Sequence, residues 1–148
     1  METQRILLVE DNPGDEALTL RALKQNNISN PVTVVRDGAE AIEHLFGSAT
    51  SGPSAVPQIV LLDLNLPKIG GLDVLRRIRA EERTRLLPVI ILTSSKEERD
   101  VAMGYDFGAN SYIVKPVDFK QFSEAVRQLG LYWLVLNQPP PKRLPTDS

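Results

Sequence analysis

The chain has 148 residues, 42% of them hydrophobic, enough for one domain with a sizeable core and too few for a second of ordinary size. A formal net charge of -2 offers no positive field for gripping a phosphate backbone, which argues against direct nucleic-acid binding. Without cysteine there are no disulfides or thiolate metal sites; the opening Met-Glu-Thr-Gln-Arg has no secretory pattern and every aliphatic run is too short to span a bilayer, so a soluble cytoplasmic protein with no membrane partner is expected.

The chain then alternates aliphatic runs with amphipathic ones. Ile6-Leu7-Leu8-Val9 reads as a strand covered on both faces, and it ends abruptly in Glu10-Asp11. Asn12 caps a following helix with Pro13 in its first turn and Asp15 and Glu16 at its positive end; Ala17, Leu20 and Leu23 supply the inward side, and Asn26-Asn27 stops it. Val32 to Val35 forms a second strand, broken at Arg36-Asp37-Gly38. The helix from Ala39 to Phe46 faces Ile42, Leu45 and Phe46 inward, and His44, the single histidine, is read as solvent-facing. Gly47 to Pro57 lacks periodicity and reads as a mobile surface loop.

Ile59-Val60-Leu61-Leu62 is the third strand, with Asp63 held at its exit and Pro67, Gly70 and Gly71 soon after. Leu72, Leu75 and Ile78 recur at helical spacing, with Arg76, Arg77 and Arg79 between them on a solvated face. Pro88 to Leu92 is the fourth strand, leaving through Thr93-Ser94-Ser95, where Ser95 and Glu98 match a capping box for a helix containing Val101, Ala102 and Tyr105. Tyr112 to Val114 is the fifth strand and exits into Lys115-Pro116. A last helix from Asp118 places Phe119, Phe122, Val126, Leu129 and Trp133 on one side, but Leu131 to Leu136 is apolar all round. After Asn137 the triple proline at 139–141 ends it, leaving a domain over 1–137 and an extended tail over 138–148.

Five aliphatic strands joined by amphipathic helices imply an α/β fold, a doubly wound five-stranded parallel sheet with every strand exit on one edge. Glu10, Asp11, Asp63, Thr93 and Lys115 all stand at such exits. Carboxylates gathered there repel one another unless a cation sits among them, and oxygen-only ligation suits a hard ion such as Mg²⁺. The Lys115 ammonium and the Thr93 hydroxyl then suit the oxygens of a phosphoryl group.

This combination, Glu10-Asp11, Asp63, Thr93 and Lys115-Pro116 after successive strands, resembles the receiver domain of two-component response regulators. The resemblance implies the flavodoxin-like fold, Asp63 as phosphoacceptor, and Mg²⁺ held by Glu10, Asp11, Asp63 and the backbone carbonyl of Asn65. It also implies a sensor histidine kinase as donor, Thr93 and Tyr112 as the switch pair, and a cis Lys115-Pro116 bond; Tyr112 as ordinary core is the competing reading. Asn12-Pro13-Gly14-Asp15, Leu62 to Lys68 and the aromatic C-terminal stretch are similar to stand-alone receivers serving phytochrome kinases. With no further module expected after the receiver, output is a partner contact, and Tyr105, Leu131, Trp133, Leu134 and Leu136 are candidates for a homodimer interface. A phosphatase of the haloacid dehalogenase type also uses a strand-end Asp with Mg²⁺, but it needs a second Asp two residues on, where this chain has Asn65.

Overall fold

The computed structural model describes residues 5–26, 28, 30–48, 50, 52–53, 55–93, 98–114, 120, 123–124 and 127. Nine elements alternate along them: β1 (Ile6–Val9), α1 (Pro13–Gln25), β2 (Val32–Val35), α2 (Gly38–Phe46), β3 (Ile59–Leu62), α3 (Gly71–Ala80), β4 (Val89–Thr93), α4 (Glu98–Asp106) and β5 (Ser111–Val114). The five strands are all parallel, in the order β2-β1-β3-β4-β5. The order reverses direction after β1, so connections run to opposite faces and a crevice opens outside the ends of β1 and β3.

The alternation of strand side chains divides the core into two layers. Leu7, Val9, Val60, Leu62, Val89 and Ile91 meet Ala41 and Leu45 of α2 and Val74, Leu75 and Ile78 of α3. On the other face Ile6, Leu8, Ile59, Leu61, Ile90 and Leu92 meet Ala22 and Leu23 of α1. Burial on both faces is why these strands are unbroken aliphatic runs instead of alternating ones.

Helix starts follow local chemistry. The Asn12 side chain accepts from the Asp15 N–H at 3.0 Å, with Pro13 in the first turn, as the sequence implies. The buried stripe of α1, however, is Thr19, Ala22 and Leu23; Ala17 is exposed and Leu20 only partly covered. Thr19 tolerates burial because its hydroxyl donates to the Asp15 carbonyl one turn earlier, at 2.9 Å. For α2 the cap is Asp37, which accepts from the Glu40 N–H at 2.7 Å; that hydrogen bond, followed by the one with Lys68, holds its carboxyl below the usual carboxylate range.

Two side chains depart from their expected solvent positions. Arg79 is half-buried and donates to the carbonyls of Gly108 (2.7 Å), Leu87 (2.6 Å) and Arg85 (3.1 Å) and to the Asn110 side chain (3.0 Å). It staples the loop before β4 to the loop before β5, and its burial lowers the guanidinium pKa. Its neighbours do reach solvent, with Arg76 lying over the Phe107 ring and Arg77 over the Phe46 ring. His44 is also half-buried, and burial followed by the charge of Arg5 pushes its pKa down.

Beyond β5, Lys120, Ser123, Glu124 and Arg127 have helical backbone. The Asn26 side chain at the end of α1 donates to the Ser123 hydroxyl at 2.8 Å and its carbonyl at 3.1 Å, fixing Ser123 beside the end of α1. Phe119, Phe122, Val126, Leu129, Leu131, Trp133, Leu134 and Leu136 lie outside the described residues, as do Ser95, Lys115-Pro116 and the tail.

Candidate functional site

The register of the central strands brings the acidic residues together. Val9 pairs with Leu62, so the next residues, Glu10 and Asp63, leave adjacent strands at the same height. The Asp63 N–H donates to Val9 O at 3.1 Å and the Glu10 N–H to Val35 O at 3.0 Å, extending the ladder by one rung before the chains diverge. One carboxylate oxygen from each of Glu10, Asp11 and Asp63 lies within 4.8 Å of the others. Glu10 is 2% exposed and Asp63 6%, while Asp11 faces solvent, giving a nest with one open side.

Backbone groups complete the surroundings. Asp63 Oδ1 accepts from the Asn65 N–H at 3.1 Å, and Glu10 Oε2 from the Asn12 N–H at 3.4 Å. The fully buried Thr93 at the end of β4 accepts at its hydroxyl from the Asn65 side-chain amide at 3.4 Å. Four of the positions read from sequence, Glu10, Asp11, Asp63 and Thr93, thus surround one crevice, with Asn65 joining the third and fourth strand exits. Lys115 is outside the described residues.

The loop after Asp63 is held by contacts that sequence reasoning missed. A Cβ on Gly71 would stand 2.2 Å from the Asp63 carbonyl oxygen, and one on Gly38 would stand 1.9 Å from the Ile69 carbonyl oxygen. Backbone therefore packs on backbone at both points, which only glycine allows. Between them Lys68 has φ 69°, in the left-handed region, and its ammonium lies 3.4 Å from Asp37. The adjoining glycines at 70 and 71 and the Pro67-Lys68 pair are the sequence signal for this tight turn.

The donor set fits a hard divalent cation, since it is made of oxygen alone and two of its three carboxylates are nearly buried. A shared cation offsets their repulsion and still leaves the exposed side for an anionic oxygen.

Residues 6–127 match the family of the response regulator receiver domain. The chain belongs to this family. The receiver is 36% identical over 129 residues to response regulator Rcp1 of Synechocystis, covering 87% of this chain and 88% of that one. It superimposes on the Mn²⁺-bound form of response regulator Rcp1 with a TM-score of 0.82 at 34% identity, covering 93% and 99%. For the phosphorylated cyanobacterial phytochrome response regulator RcpA the TM-score is 0.81 at 34% identity, covering 95% and 100%. The bacteriophytochrome response regulator RtBRR is 49% identical with a TM-score of 0.74, covering 95% of this receiver and 86% of that chain. These matches establish the receiver fold and place the protein in two-component phosphorelay signalling.

Among the described residues no helix is long and apolar enough to cross a membrane. Tyr112 lies on β5 in register with Ile91, two positions before the Thr93–Val114 pair. Its ring is partly buried against the α2–α3 layer and 6.4 Å from the ring of Tyr105, which is 51% exposed on α4.

Proposed function

We propose that this receiver accepts a phosphoryl group on Asp63 from the phosphohistidine of a sensor histidine kinase. The convergence of Glu10, Asp11 and Asp63 within 4.8 Å, with Thr93 linked to the same crevice through Asn65, carries the reading. An oxygen of the ionised Asp63 carboxylate attacks phosphorus in line; the O–P bond forms as the N–P bond of the donor breaks, and no general base is needed. Glu10, Asp11, Asp63 and the Asn65 backbone carbonyl would hold Mg²⁺. When bound, it supplies charge compensation for the phosphoryl oxygens. Thr93 and Lys115 serve the remaining oxygens, the hydroxyl by donating a hydrogen bond and the ammonium as a point charge.

The switch is Thr93 with Tyr112, a local charge change biasing a two-state element. Likeness to RcpA and RtBRR supports a phytochrome as the kinase. The receiver occupies 1–137, the tail 138–148, and the protein works in the cytoplasm. Output is a homodimer contact through Tyr105, Leu131, Trp133, Leu134 and Leu136; the exposed Tyr105 ring supports that choice of face. A dimer in sedimentation that dissociates on Trp133→Glu is the expected result.

The deciding experiment is incubation with acetyl phosphate and Mg²⁺ followed by intact mass. Wild type gains one phosphoryl group and Asp63→Asn gains none. An unmodified wild type would replace this reading with that of a docking protein that takes no phosphate.

A further inference from the structure

Gly104 sits inside α4, buried, on the side of the helix that meets β4 and β5. A Cβ there would stand 3.0 Å from Ile91 Cδ1 and 3.2 and 3.3 Å from Tyr112 Cδ2 and Cε2. Ile91 and Tyr112 are themselves register partners on adjacent strands. The edge of the Tyr112 ring therefore occupies the recess left by the missing side chain, and Tyr105, the next residue of α4, lies across the same ring at 36°. Glycine is a poor helix former compared with alanine, so an interior helical glycine calls for a packing reason, and here the ring supplies one.

We propose that Gly104 is a positioning residue: its bare Cα holds the Tyr112 ring against α4 and so sets how readily the α4–β5 face changes when Asp63 is phosphorylated. The inference rests on the reading of Asp63 and Tyr112 given above. The atoms a methyl would meet are the rim of a ring with two rotatable bonds and the end of an isoleucine, so both can yield by a few tenths of an ångström. Gly104→Ala therefore leaves the fold intact while disfavouring the ring position described here. In a two-state element, raising the energy of one state shifts the population toward the other.

The test is a double-mutant cycle of Gly104→Ala and Tyr112→Val, with Tyr112→Ala as a second background should the first fail to fold. Valine suits a strand and has no atoms that reach the recess. In the valine background Gly104→Ala raises Tm by up to about 2–4 °C, the return of ordinary helix propensity in a protein of this size less a small displacement of the Ile91 tip that is common to both backgrounds. With Tyr112 present that gain is lost or reversed. The initial rate of phosphorylation by acetyl phosphate changes about twofold or more on Gly104→Ala when Tyr112 is present, and not when valine replaces it. Equal Tm gains in both backgrounds would show that the ring does not fill the recess and would overturn the proposal. Coupling in Tm with no change in rate would overturn it too, leaving packing alone. A wild type that takes no phosphoryl group would instead overturn the reading of Asp63, and the Tm cycle would still decide whether the recess holds the ring.

Discussion

The Asn65 side-chain amide donates to the Thr93 hydroxyl across 3.4 Å, joining the chain just after β3 to the last residue of β4. The Asn65 N–H also donates to Asp63 Oδ1, so one residue touches both the proposed acceptor and the proposed switch hydroxyl. Because Thr93 is fully buried, Thr93→Val keeps shape and β-branching while removing the hydroxyl. Loss of one hydrogen bond lowers stability by about 1 kcal/mol, seen as a lower urea midpoint at unchanged slope. Phosphorylation by acetyl phosphate slows by roughly tenfold or more, because on the proposed reading the lost hydroxyl is a donor to the phosphoryl oxygens. A rate equal to wild type would remove Thr93 from the site.

Adjacent glycines at 70 and 71 give a sharper contrast. At Gly70 a Cβ meets nothing within 4 Å, whereas at Gly71 it meets the Asp63 carbonyl oxygen at 2.2 Å and Leu64 Cα at 2.6 Å. Backbone atoms cannot step aside as a side-chain tip can. Gly71→Ala is expected to cost about 3 kcal/mol and to weaken the rise in Tm expected with Mg²⁺, because the end of β3 is displaced. Gly70→Ala costs only the difference in cap preference, about 0.5–1 kcal/mol, and leaves the Mg²⁺ response intact. Equal urea midpoints for the two variants would contradict the packing.

The contrast also marks how far the sequence alone could be read. Strand positions such as Ile6 to Val9 and Ile59 to Leu62 were legible because a strand buried on both faces must be aliphatic throughout, and strand exits then follow from parallel topology. Glu10, Asp11, Asp63 and Thr93 came with those exits. Side-chain direction was less legible: periodicity favoured Ala17 over Thr19 because a hydroxyl counts as polar until its local acceptor is known. Arg79 looked like its exposed neighbours because its acceptors belong to loops 6 to 31 residues away. The contact of Gly38 with Ile69 depends on tertiary approach, which no local pattern encodes.

Arg79 makes a prediction that separates stability from signalling. Its guanidinium serves three carbonyls and the Asn110 side chain in the loops preceding β4 and β5, at the opposite end of those strands from Asp63. Arg79→Ala leaves those acceptors to be rehydrated in a half-closed space and is expected to cost about 2–4 kcal/mol. Arg79→Lys recovers only part, because an ammonium cannot reproduce the fork. At a temperature where both variants remain folded, their phosphorylation rates match wild type.

His44 sets the pH dependence near neutrality. Burial lowers its folded pKa below the unfolded value of about 6.5, with Arg5 adding to the shift, so the folded state resists protonation. As pH falls through 6.5 the unfolded chain takes up the proton first and stability declines; the decline ends once pH is below the folded pKa. His44→Gln should abolish this component, so the difference between wild type and variant in urea unfolding is flat above pH 7 and changes only on the acid side. Asp37 contributes separately at lower pH: its depressed pKa gives stability present above the unfolded carboxylate value and lost as pH falls through the folded one. A wild-type curve parallel to that of His44→Gln from pH 7.5 to 5 would mean that the imidazole is as well hydrated folded as unfolded.

Metal dependence follows from the spacing of the acids. With oxygens of Glu10, Asp11 and Asp63 mutually within 4.8 Å, a divalent cation that binds only the folded state raises Tm as its concentration increases. At 100 times the dissociation constant the stabilisation is about 2.7 kcal/mol, a rise of roughly 5–10 °C for a chain of this size. Asp11→Asn and Glu10→Gln each remove one charge from the nest. Both variants are expected to be more stable than wild type without Mg²⁺, because the repulsion is relieved, and to gain less from it. Asp11 is the more telling position, because it is the solvent-exposed member and its substitution disturbs packing least. Thermal melts across a Mg²⁺ titration, with EDTA as the zero point, read both effects, and an Asp11→Asn protein that melted below wild type in EDTA would show that the three carboxylates are not held in mutual repulsion.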